Sequence, residues 1–66
     1  MRQKLKKARR DAGLTQKQVA ERIGISEIGY QQIERGIRLG KISTWDRLED
    51  LFEMNQRTLR ELAFDE

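Results

Sequence analysis

Residues 16–35, QKQVAERIGISEIGYQQIER, constrain the fold more than any other stretch of this 66-residue chain. Apolar residues recur there at Val19, Ile23, Ile25, Tyr30 and Ile33, a helical spacing interrupted once, at Gly24. The pattern reads as two short helices joined by a tight turn, with the small Ala20 where the helices must cross. The outer face of the second helix is polar.

Capping signals fix the ends of both helices. Thr15 can cap the first, and Gln18 three residues on completes a capping-box pattern. Ser26 can cap the second, and Glu27 suits the positive end of its dipole. Gly24 and Gly36 stop them. Gly29 inside the second helix weakens it by about 1 kcal/mol relative to Ala, unless another backbone must come close there.

Three more helices are expected. The first runs from Arg2 to Asp11, with Leu5, Ala8 and Ala12 as its buried stripe and Gly13 at its end. Another starts near Ser43 or Thr44, buries Trp45, Leu48, Leu51 and Phe52, and ends at Asn55. The last starts after Thr58, with Leu59, Leu62 and Ala63 apolar. The three apolar residues of the loop at 37–42, IRLGKI, are expected to pack down over the core. No strand-like alternation and no repeat occurs. The expectation is an all-α, compact five-helix bundle in one domain, residues 1–66.

The sequence has no Cys and no His, which removes disulfides, thiolate chemistry, the common zinc sites and a His general base. No apolar run approaches the roughly 20 residues that span a bilayer, and no signal peptide is read, so a cytoplasmic protein without membrane contact is expected. Asp46 and Asp50 lie one helical turn apart, but nothing around them makes a catalytic constellation. The run GIRLGKIS has the wrong spacing for a phosphate-binding P-loop and follows no strand. No enzyme, cofactor, metal or small-molecule substrate is expected.

Charge is unevenly placed. Residues 1–40 carry ten Lys/Arg against four Asp/Glu, whereas residues 41–66 carry four against seven. The two-helix unit therefore sits in a basic front that attracts phosphates. A polar helix held on a basic scaffold is how small proteins enter the DNA major groove.

The runs LKKARRDAGLTQKQVAERIGIS and YQQIERG, with the late LREL, resemble the Xre/Cro family of phage-repressor-like helix-turn-helix domains across roughly residues 4 to 63. The resemblance implies a lambda-repressor-like fold that binds a double-stranded DNA operator, often as a homodimer, and regulates transcription as a repressor. It implies that Gln16 contacts a phosphate, that Glu27, Ile28, Gln31 and Gln32 face the groove, and that Arg9 and Glu34 form a partly buried salt bridge. Ala20 and Gly24 complete the structural positions.

The chemistry of each position bears on these roles. Helix N-termini bind anions, which suits Gln16. A glutamine amide donates and accepts together, matching the adenine N7/N6 edge, so Gln32 is the first base reader and Gln31 the second. Ile28 can touch a thymine methyl or fold back on the loop at 37–42. Glu27 can accept from cytosine N4 or serve only as a first-turn charge. Lys17, Arg35, Arg38 and Lys41 are phosphate candidates, with Arg2, Lys4, Lys6, Lys7 and Arg10 raising the local potential. Tyr30 is read as core with its hydroxyl at an edge, and Trp45 as core or dimer surface together with the residues after Asn55. The competing reading is an antitoxin, coactivator or adaptor that uses the same fold to hold a protein.

Overall fold

The computed structural model describes residues 1–55 together with Thr58 and Leu59. Among the described residues it is all-helical: α1 Gln3–Asp11, α2 Gln16–Ile23, α3 Glu27–Arg35 and α4 Ile42–Phe52. There are thus four helices where five were expected. The expected fifth falls largely outside the described residues; of it, Thr58 and Leu59 are helical, and Leu59 is buried.

The short helices form because their ends are satisfied locally. Thr15 accepts from the Gln18 backbone N–H at 3.1 Å and its own N–H donates to the Gln18 side chain at 2.8 Å, so the capping box is present. Ser26 Oγ accepts from Gly29 N at 3.0 Å. Gly24 ends α2 in the left-handed region, at φ 78°, where a side chain would be strained.

Leu5, Val19, Ala20, Ile23, Tyr30, Ile33, Trp45, Leu48 and Leu59 make one core cluster, with Ala8, Leu14, Ile25, Leu51, Phe52 and Met54 packed around it. Ala20, 1% exposed, lets α2 and α3 approach. Tyr30 and Trp45 are both fully buried. Trp45 is therefore core. Its indole N–H donates to the Leu39 carbonyl at 2.6 Å.

Four local expectations are corrected. Ala12 is exposed: it is the C-cap of α1, past the last buried turn. Helix α4 starts at Ile42, because the Lys41 carbonyl already accepts from Thr44 N and Trp45 N, leaving Ser43 and Thr44 inside the first turn. It ends at Phe52 rather than Asn55, with Glu53 left-handed at φ 53°. The loop at 37–42 does not lay its apolar side chains on the core: Ile37, Leu39 and Ile42 are 69%, 58% and 72% exposed. Its backbone does the covering instead. Gly40, at φ 86°, sits so close that a Cβ there would lie 3.1 Å from Ile33 Cδ1 and 3.5 Å from the Trp45 indole nitrogen.

Two arginines hold the helix-turn-helix unit from outside. Arg47 Nη1, from α4, donates to the Ile23 carbonyl at the end of α2 at 2.9 Å. Arg2 donates from its backbone to the Glu34 carbonyl at 2.8 Å and from Nη1 to the Ile33 carbonyl at 2.6 Å, while its guanidinium lies 5.3 Å from the Trp45 ring centroid. The Arg47 guanidinium and the Arg2 backbone N–H thus satisfy the Ile23 and Glu34 carbonyls at helix ends, and each arginine sets a positive charge at the negative end of a dipole.

Candidate nucleic-acid interface

Helix α3 has two chemically distinct faces. At about 100° per residue, Gly29, Tyr30, Ile33 and Glu34 turn to the core and are buried. Glu27, Ile28, Gln31, Gln32 and Arg35 share the opposite face, and each is exposed or half-buried. Ile28 is 68% exposed, so it stands on the outer face and does not fold back on the loop. Gln31 Nε2 lies 3.5 Å from the Glu27 carboxylate, at the limit of a hydrogen bond. This outer face therefore offers two amides, a carboxylate, a guanidinium and a branched aliphatic side chain within three turns.

Glu34, on the inner face, ties the unit together. Only 1% exposed, it accepts from Arg9 Nε at 2.8 Å and Arg9 Nη2 at 3.2 Å, from the Tyr30 hydroxyl at 2.8 Å and from Gln16 Nε2 at 3.0 Å. Burial pushes the Glu34 carboxyl upward, but the hydrogen bonds from Arg9, Tyr30 and Gln16 outweigh it, and the group lies below the usual carboxylate range. Burial, reinforced by the bond to Glu34, raises the Tyr30 phenol well above its ordinary value. The bond to Glu34 likewise raises Arg9, which also donates to the Leu14 carbonyl at 3.0 Å. The expected Arg9–Glu34 pair is thus present, with side chains 12% and 2% exposed.

Gln16 stands at the start of α2, where the sequence reading put it. It is half-buried, and its amide nitrogen donates to Glu34. Lys17 beside it is exposed. Arg35, Arg38 and Lys41 are exposed too. Arg38 and Lys41 come together along a groove between the starts of α3 and α4, with Ser26, Gly29 and Thr44 in its wall. Gly29 is buried there, and a Cβ on it would meet Ser26 Oγ at 3.0 Å and Arg38 Nη1 at 3.5 Å. Its close neighbours are thus the capping hydroxyl and a guanidinium. A second basic cluster, Lys6, Lys7 and Arg10, lies on α1, where Lys7 pairs with Asp11 at 2.7 Å.

Sequence reasoning placed Tyr30 in the core but not its bond to Glu34, and it missed what Arg2 and Arg47 do. Tyr30 stands one helical turn before Glu34, a spacing that could have suggested their bond. Arg2 and Arg47 reach backbone carbonyls 31 and 24 residues away, and no local pattern signals such a contact.

With two capped helices, a left-handed Gly between them and a polar outer face on the second, the geometry is that of a helix-turn-helix. The sequence profile of the helix-turn-helix domain matches residues 1–63. The chain belongs to this DNA-binding helix-turn-helix family. Comparison with curated proteins and with solved structures returned no match. Among its described residues, the helix-turn-helix domain has no helix long and apolar enough to cross a membrane and no cluster of three or more His, Cys, Asp or Glu that could hold a metal ion.

Proposed function

We propose that the domain is a sequence-specific DNA-binding transcriptional regulator of the Xre/Cro type, acting in the cytoplasm as a repressor, with α3 in the major groove of an operator. One observation carries this reading: α3 is anchored by an inner face of Tyr30, Ile33 and Glu34 while its outer face remains open to solvent. Gln32 reads a base edge, and Gln31 and Ile28 supply the adjoining contacts. Glu27, bonded at the limit to Gln31, orients that amide more than it meets a base. Lys17, Arg35, Arg38 and Lys41 supply the phosphate contacts that set register.

A homodimer fits the geometry of this class, since two copies place their reading helices in half-sites about 34 Å apart. The buried Trp45 leaves the residues after Asn55 as the sequence-based candidate for its surface, and most of these lie outside the described residues.

The exposed Ile37, Leu39 and Ile42 favour a second reading, an adaptor that holds a protein partner. Titration with random duplex DNA at two salt concentrations separates the two. A DNA binder loses affinity steeply as salt rises, and an adaptor shows almost no binding even at low salt. Chemical-shift mapping with a duplex should move residues 26–35; silence there, with signals moving elsewhere, would reject the groove placement.

A further inference from the structure

Gln16 opens α2 and Glu34 lies near the end of α3, 18 residues apart, yet their side chains meet at 3.0 Å. The carboxylate has two oxygens, and both are shared: Oε2 takes Arg9 Nε and the Tyr30 hydroxyl, and Oε1 takes Arg9 Nη2 and Gln16 Nε2. Its accepting capacity is therefore used up by four donors.

This fixes more than a contact. A carboxylate accepts and cannot donate, so the Gln16 amide must turn its nitrogen inward; reversing it would set two oxygens against each other. The nitrogen carries two N–H groups, and Glu34 occupies one. The other remains on a half-buried side chain at the N-terminus of α2, where the helix dipole already favours an anion. Arg9 neutralises Glu34, so an approaching phosphate meets no net negative charge behind the amide.

Resting on the DNA-binding reading above, we propose that Glu34 is a positioning residue for the DNA backbone: it holds the Gln16 amide so that its second N–H donates to a phosphate oxygen. Because Arg9 and Tyr30 share the same carboxylate, the phosphate anchor on α2 is locked to α1 and to the reading helix α3 at a fixed spacing. The buried carboxylate thereby sets the depth at which α3 sits in the groove.

The test removes the acceptor while keeping the fold. The triple variant Arg9→Met/Tyr30→Phe/Glu34→Leu replaces a buried polar cluster with apolar groups, a change that buried ion pairs often tolerate. It deletes one charge of each sign, so the salt dependence of binding should not change. Affinity for a random-sequence duplex is measured for the parent chain, Gln16→Ala, the triple variant and their combination. Gln16→Ala should lose about tenfold, the size of a hydrogen bond to a charged acceptor. The triple variant should lose a similar factor, and the combination no more than either alone.

Losses that multiply, or a folded triple variant that binds as tightly as the parent, would overturn the positioning role. A Gln16→Ala variant that binds normally would overturn it too, leaving the DNA-binding reading intact. A parent chain that does not bind duplex at low salt would instead sink that reading. Should the triple variant not fold, the side-chain amide signals of Gln16 decide in the parent chain. One Nε2 proton should keep its carboxylate-bonded position on adding duplex while the other shifts; joint movement, or none, rejects the proposal.

Discussion

Arg9 Nε lies 2.8 Å from Glu34 Oε2, joining α1 to α3 across 25 residues of sequence. Both groups are largely out of water, so the pair is costly to break from one side. Arg9→Ala should destabilise the domain by on the order of 3 kcal/mol, because it strands a buried carboxylate. Thermal unfolding measures this, and an unchanged midpoint would show that the pair contributes nothing net.

Stability should fall at both ends of the pH scale, for two linked reasons. The folded Glu34 carboxyl lies below its ordinary 4.5, so its contribution is complete above that value and is lost as pH falls through the folded one. Tyr30 is raised above its ordinary 10.0, so its contribution is complete below that value and is lost as pH rises further. Melting temperature followed across pH should show a plateau between. In Tyr30→Phe the alkaline fall should shrink; a fall of the same size would assign it elsewhere.

Gln32→Ala should weaken binding to a selected operator by about 1–3 kcal/mol and relax preference at one base position. Selection from a random DNA pool reads both effects. A site preference identical to the parent's would remove Gln32 from base reading.

Lys17→Ala and Arg38→Ala should each weaken binding to all duplex sequences alike. Each should lower the slope of log affinity against log salt by about 0.9, the share of one phosphate contact. A slope equal to the parent's would mean that the side chain only adds to the general field.

Arg2→Ala should cost about 2 kcal/mol, since it removes the bond to the Ile33 carbonyl and the contact over Trp45. Arg2→Lys should recover only part of this, because an ammonium cannot reproduce the flat guanidinium over the ring. Full recovery in the lysine variant would mean that charge alone matters.

The legible parts of the molecule were those written in short-range patterns. Thr15 with Gln18, Ser26, Gly24 and Gly36 mark helix ends through groups a few residues apart, and all four signals hold. The inner faces of α2 and α3 followed from periodicity. What stayed hidden was decided by distant groups competing for the same partners. Nothing local to Gln16 says that a carboxylate 18 residues on will take its amide nitrogen. Nothing local to Arg2 says that it will cap α3 rather than add to the basic surface. The apolar loop misled because hydrophobicity fixes what prefers burial but not whether a backbone already occupies the space. Gly40 and the Leu39 carbonyl fill it against Ile33 and Trp45, and the side chains of Ile37 and Leu39 turn outward.

The clamp formed by Arg2 also settles where the start of the chain lies. Met1 rests beside Gly36, its amino nitrogen 3.8 Å from where a Cβ on that glycine would stand. Anything joined ahead of Met1, a purification tag included, emerges beside Gly36, at the C-terminal end of α3. On the proposed reading a fusion there lies next to the reading helix, so affinity measurements should use a chain with a clean start.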